Sequence, residues 1–234
     1  MTWVNVALLR MDQQRGRPVL VEFWDCCRPN SMRTLPYVKA WHERYAADGL
    51  RVISVHSPGF DASRDEDVVR AATERLGIEH PVCLDHELLV WTAYGNAGWP
   101  ARYLWDADGL LHEFHYGEGA YVETELAIQR LLGVAREPLG PVRPEDAPAA
   151  EIVAQTPDQP GPWSGDYEAG AVWAVLSGRG AVSVNDAPLA IDYTGAHLLI
   201  EHAVSTSGRL ELDLGEGVTC HAVCFSPGLA PAAA

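Results

Sequence analysis

Residues 20–37 read LVEFWDCCRPNSMRTLPY. Extended back to Pro18, the stretch opens with the near-continuous apolar run PVLVEFW, which is how a strand buried on both faces of a parallel sheet reads. A turn containing Cys26 and Cys27 follows. A helix is expected from about Ser31 to Ala47, because Leu35, Val38, Trp41 and Tyr45 recur at spacings of three and four and mark one buried face. Ser31 is a candidate N-cap, Gly49 a candidate stop, and Pro36 is expected to kink the helix.

Downstream, LRVISVH at 50–56 reads as a second buried strand, and 64–76 as a helix with Val68, Val69, Ala72 and Leu76 inward. VCLD is a short strand and ELLVWTAYG a short helix. ARYLWD (101–106) and LLHEFHY (110–116) flank Ala107-Asp108-Gly109, a hairpin signal. A helix over 121–133 has Leu126, Ile128, Leu131 and Leu132 as its apolar positions. This alternation predicts a mixed sheet with helices on both faces.

Seven of the sixteen prolines fall between 138 and 162, which predicts an extended linker or strap. Beyond it, short β-rich runs alternate with turn signals at Ser177-Gly178, Asn185-Asp186, Thr194-Gly195, Ser207-Gly208 and Gly215-Glu216-Gly217. Strands spaced this way predict a small all-β sandwich. The expected organisation is an α/β domain over 1–135, a Pro-rich linker over 136–162, a β-sandwich over 163–228 and a loose tail over 229–234.

The chain has 234 residues, 47% of them hydrophobic, and a formal net charge of -15. Such acidity argues against nucleic acid and anionic membrane surfaces as partners, since both need clustered Lys and Arg. The N-terminus has no positively charged region ahead of an apolar run of signal-peptide length. No stretch approaches the ~20 apolar residues that span a bilayer. The five cysteines (26, 27, 83, 220 and 224) are odd in number and form no disulfide framework, so a cytoplasmic location with free thiols is expected.

The blocks RTLPYVKAWHERY, GLRVISVHSPGF, GIEHPVCLD and AYGNAGWPARYLWDADGLLHEFHYGEG, followed by YVETELAIQRLL, stand in order behind the Phe23-Trp24 strand end. Together they resemble the thioredoxin superfamily, specifically the TlpA-like domains of DipZ-type proteins, across residues 3–133. Residues 163–226 look like the carbohydrate-binding-module-like β-sandwich that follows in that family. The resemblance implies a thioredoxin-like fold and a thiol-disulfide oxidoreductase or peroxidase-like redoxin that meets a protein or peptide thiol or disulfide and uses no cofactor or metal. Such a site carries a Cys-x-x-Cys at a helix N-terminus, where the helix field lowers the thiol pKa.

Aligned without a gap, those two cysteine positions fall on Arg28 and Ser31, giving the degenerate motif Arg28-Pro29-Asn30-Ser31. A one-residue shift instead gives Cys27-Arg28-Pro29-Asn30, with one thiol and no resolving partner. Cys26 and Cys27 admit three readings: ordinary thiols, a single nucleophile at Cys27, or metal or vicinal-disulfide chemistry. Glu22 occupies the place of the family's buried carboxylate, either as proton acceptor or as a paired polar residue. Pro100 matches the family's cis-proline, and Trp24 and Trp99 are expected to flank the turn as recognition surface or core. The candidate site is therefore Cys27, Cys26 and Glu22 for chemistry, with Trp24, Trp99, Pro100, Arg28 and Ser31 for binding. The alternative is a non-catalytic thioredoxin-fold module gripping a peptide near the cis-proline.

His112 and His115 point to opposite faces of a strand and make a poor metal site. In a regular strand Cys220 and Cys224 would share one face about 13 Å apart, as core residues.

Overall fold

The computed structural model describes residues 2–232. The chain divides into two compact units: one takes the chain through Cys26 and Asn30–Val142, the other Cys27–Pro29 and the chain from Arg143. Among the described residues no helix is long and apolar enough to cross a membrane.

The first unit contains β1 (Thr2–Val4), β2 (Val19–Trp24), α1 (Pro29–Tyr45), β3 (Arg51–His56), α2 (Glu66–Arg75), β4 (Val82–Leu84), α3 (Leu89–Ala93), β5 (Ala101–Trp105), β6 (Leu111–Tyr116) and α4 (Tyr121–Leu132). One six-stranded sheet runs β1-β4-β3-β2-β5-β6. β2 pairs β3, and β3 pairs β4, in parallel; β1, β5 and β6 pair antiparallel. The mixed sheet expected from the alternation is present, with β1 as an additional edge strand. β6 is the other edge, and Leu111, Phe114 and Tyr116 on it are exposed.

Because successive strand residues face opposite ways, β2 builds two cores at once. Leu20 joins Tyr37, Val38, Trp41 and Tyr45 of α1 and Tyr121 and Ile128 of α4 on one face. Val19, Val21 and Phe23 join Ile53, Val55 and Tyr103, with Val90 and Trp91 of α3 packed against them, on the other. Helix α1 continues through Pro36.

Helix α4 buries Ile128 and packs Leu131 and Leu132 against the same core, as its apolar positions predict, but Leu126 departs from that stripe. Leu126 is exposed, while Tyr121, Thr124, Glu125 and Ile128 are buried. The Glu125 carboxylate is tolerated there because Oε1 accepts the Tyr45 hydroxyl at 2.6 Å and Arg44 Nη1 at 2.9 Å, and Oε2 accepts Trp41 Nε1 at 3.3 Å and the Leu139 amide at 2.8 Å. Leu139 belongs to a strap that runs on from α4, where the Val142 amide donates to the Tyr37 hydroxyl at 2.7 Å.

The second unit is strand-rich: β7 (Ile152–Val153), β8 (Gln159–Pro160), β9 (Gly165–Gly178), β10 (Gly180–Val184), β11 (Ala187–Ile191), β12 (Gly195–Leu210), β13 (Leu212–Leu214), β14 (Val218–Ser226) and β15 (Gly228–Leu229). All their pairings are antiparallel, in sheets ordered β11-β10-β13, β12-β9-β14-β8 and β15-β7. Val172, Leu176, Val182, Ile191, Leu210 and Phe225 share one core. The β10–β11 turn places Asn185 and Asp186 at φ 48° and 65°, the left-handed geometry of a two-residue hairpin loop.

Three expectations are corrected here. Ser207-Gly208 is no turn but lies within β12; Gly208 pairs with Tyr167, and a Cβ there would meet that ring at 2.8 Å. The glycine admits an aromatic neighbour across the strands. A bulge between Cys220 and Ala222 inverts the alternation along β14. Cys220, Val223 and Phe225 therefore face the shared core, and Cys224 faces the other way. Burial and the Asp158 carboxylate push the Cys224 thiol upward. The segment read as a loose tail begins with pairing of Leu229 to Ile152 in β15–β7, while Ala233 and Ala234 lie outside the described residues.

Candidate functional site

β2 ends at Trp24 and α1 starts at Pro29, so Asp25, Cys26, Cys27 and Arg28 form the turn between them. Proline is well suited to a first helical position, where its missing N–H has no partner to lose. The helix thus begins two residues before Ser31, which is its third residue and not its N-cap. Ser31 Oγ accepts the Asp25 amide at 3.2 Å, and the residue is fully buried. Arg28 directly precedes the helix, so a guanidinium and a hydroxyl occupy the two places that the gapless alignment assigns to thiols.

The turn is anchored from the neighbouring strand. Asp25 Oδ2 accepts the Gly59 amide at 2.7 Å. The Cys26 amide donates to His56 Nε2 at 3.3 Å. In that tautomer Nε2 is an acceptor, so its 3.5 Å approach to Asp25 Oδ1 is a contact and not a hydrogen bond. Asp25, Cys26 and Cys27 each offer one donor atom within 4.8 Å of the others, the single such group of three among the described residues. Both cysteines are thiols with no solvent exposure. Two sulfurs and a carboxylate gathered this way suit thiol exchange and also a thiophilic cation.

Glu22 lies on the same strand, fully buried. Burial raises its carboxyl to about 7, against the Ser54 hydrogen bond and the Arg102 charge, which pull it down. Ser54 Oγ donates to Glu22 Oε2 at 2.7 Å and lies 2.7 Å from His80 Nε2. His80 is itself buried, and desolvation, with His42 and Lys39 adding to it, lowers its imidazole to about 3. Arg102 pairs with Glu22 across β2 and β5, is 2% exposed, and donates from Nη2 to the Gly119 carbonyl at 2.5 Å.

Of the residues expected to bind, Trp24 has no exposure and belongs to the core, its ring edge-on to His56 at 5.0 Å. Trp99 is partly exposed, stacks on Trp91 at 4.0 Å and donates from Nε1 to the Ser57 carbonyl at 2.8 Å. The Trp99–Pro100 bond is cis, and Pro100 is buried. Arg33, in the second turn of α1, pairs with Glu118 at 2.7 Å. His115 Nε2 lies 2.8 Å from the Glu118 carbonyl. Burial, with the Asp85 carboxylate adding to it, pushes the Cys83 thiol up to about 11.

Sequence reasoning missed Asp25, Ser54, His56, His80 and Arg102. Polar Ser54 inside the apolar run 50–56 was the one visible sign; the others become partners only through the pairing of β2 with β3 and β5 and of β3 with β4.

The fold is thioredoxin-like with an altered dithiol position, and the chain resembles proteins of the thioredoxin-like superfamily. The relatives it resembles are DipZ and thiol-disulfide oxidoreductase proteins. It is 35% identical over 148 residues to protein DipZ of Mycobacterium bovis, covering 61% of this chain and 21% of that one. It is 25% identical over 130 residues to the thiol-disulfide oxidoreductase YkuV of Bacillus subtilis, covering 56% of this chain and 87% of that one. A thiol-disulfide isomerase structure from Corynebacterium glutamicum superimposes with a TM-score of 0.53 at 22% identity, over 58% of this chain and 93% of that one. The chain spans about a fifth of the length of the DipZ proteins it matches. No family model matches it.

Proposed function

We propose that the chain is a thioredoxin-fold thiol-disulfide exchange protein whose chemistry has moved from the helix start into the preceding turn. Cys27 is the attacking thiol and Cys26 the neighbouring one. The gathering of both sulfurs and the Asp25 carboxylate within 4.8 Å carries this reading. The step is an exchange: Cys27 thiolate attacks one sulfur of a partner protein's disulfide, a mixed disulfide forms, and the second partner sulfur leaves as thiolate. Glu22 serves as the nearby buried acid. The partly exposed Trp99 beside cis-Pro100 is the surface for the partner's peptide. Thiols in all five cysteines support a cytoplasmic setting. The second unit, read as a β-sandwich, is a contact module.

A specific observation favours a second reading, a binding module without chemistry: Cys26 and Cys27 are both at 0% exposure. Alkylation followed by mass spectrometry separates the two. Cys27 modified faster than a free cysteine at neutral pH, with insulin reduction lost in Cys27→Ser, is the expected result. Labelling of both thiols only upon unfolding would overturn exchange in favour of the binding module.

A further inference from the structure

An open pocket of about 310 Å³ lies beside α1, lined by Lys39, His42, Glu43, Gly77, Glu79 and His80. His80 lines it while being 1% exposed, and its Nδ1 is buried with no hydrogen-bond partner. Its other ring nitrogen is already committed, 2.7 Å from Ser54 Oγ, which in turn donates to Glu22 Oε2 at 2.7 Å. The three side chains come from different elements: Glu22 from β2, Ser54 from β3, and His80 from the segment before β4. An imidazole with one nitrogen in a hydrogen-bonded chain and the other unpartnered beside an open pocket is a two-ended proton carrier.

We propose that His80 and Ser54 form a proton path joining this pocket to the Glu22 carboxyl on the strand that delivers the cysteine turn. A proton arriving at His80 Nδ1 releases the one on Nε2 to Ser54 Oγ. Ser54 passes its own hydroxyl proton to Glu22 Oε2, and the ring ends as its other tautomer. One proton enters, the carboxylate becomes a carboxyl, and the reverse sequence discharges it to the pocket.

The surrounding charges suit passage over storage. Lys39 and His42 of α1 act on His80 and disfavour a lasting imidazolium, while Arg51 of β3 and Glu79 act on His42. Arg102 of β5 faces Glu22 and keeps its ionised form within reach. The use of this path in thiol exchange rests on the function proposed above; the path itself does not.

Time-resolved infrared spectroscopy of the whole chain after a downward pH jump follows Glu22 through its carboxyl C=O band, assigned by its loss in Glu22→Gln. The expected band titrates near 7. Its rise should slow by about tenfold or more in His80→Phe and in Ser54→Ala. In His80→Ala, added imidazole should enter the pocket and restore the rate. His80→Gln, which keeps a hydrogen bond to Ser54 and carries no proton, serves if the Phe variant fails to fold. An unchanged rise in His80→Phe or His80→Gln, or no titrating band in the unaltered protein, overturns the path. No thiol takes part in the measurement, so its failure would leave the cysteine reading standing, and an inert Cys27 would leave the path standing.

Discussion

Ser31 Oγ holds the Asp25 amide at 3.2 Å, closing the turn from the third residue of α1. Ser31→Ala removes that buried hydrogen bond and should cost about 1 kcal/mol in urea denaturation. The double substitution Arg28→Cys with Ser31→Cys places two sulfurs at the start of the helix. It should raise insulin reduction well above the unaltered protein, and Ser31→Cys alone should not. Equal rates in the double variant and the parent would mean that the helix start is not where this fold runs dithiol exchange.

The buried relay also predicts a pH signature. Glu22 is raised to about 7, so the folded state holds a proton that the unfolded chain has lost, and this contribution to stability falls as pH rises from about 4.5 to about 7. His80 is lowered to about 3, so the unfolded chain holds the extra proton, and this contribution rises as pH climbs from about 3 to about 6.5. The two oppose each other between about 4.5 and 6.5. The unaltered protein should be nearly flat there. Glu22→Gln should gain stability with rising pH, and His80→Gln should lose it. Slopes of the same sign in both variants would refute this pairing.

Glu125 is a buried carboxylate held by four donors from two other segments. Removing it in Glu125→Ala should cost about 3 kcal/mol or more, because Arg44 and the Tyr45 hydroxyl lose their shared acceptor. Burial and this carboxylate hold the Tyr45 phenol up to about 12, so Glu125→Gln should bring one tyrosine back toward 10 in an ultraviolet titration.

In the second unit, a Cβ on Gly170 would first meet the Pro227 carbonyl and the Gly228 backbone, whereas one on Gly208 would first meet the Tyr167 side chain. Backbone cannot swing aside as a ring can. Gly170→Ala should therefore destabilise by about 2–3 kcal/mol and Gly208→Ala by less, read as thermal midpoints.

The central strand and the α1 core face were legible because apolar spacing alone encodes them: Leu35, Val38, Trp41 and Tyr45 are all buried. The start of α1 was misread because Ser31 is a good capping residue type, and its hydroxyl was taken by Asp25 instead. Leu126 is exposed while Glu125 is buried because Glu125 finds its donors on α1, some 80 residues earlier, and on the strap at Leu139, contacts that local sequence does not reveal. Cys220 and Cys224 were put on one face because a single bulged residue, His221, leaves no mark in composition. At the site, Glu22 could be placed only through the resemblance, which sets a buried carboxylate on the strand before the turn. Its partners Ser54, His80 and Arg102 are set by strand pairing, which local sequence does not reveal.

The outer strand of the six-stranded sheet carries Leu111, Phe114 and Tyr116 into solvent beside a backbone edge with no neighbour among the described strands. Such an edge is a template for another chain. What opposes self-stacking here is mutual repulsion between molecules of charge -15, and that force is fragile. In concentrated salt its range shrinks to about 3 Å at 1 M, so the protein should remain dispersed in dilute buffer and cluster along β6 as ionic strength climbs.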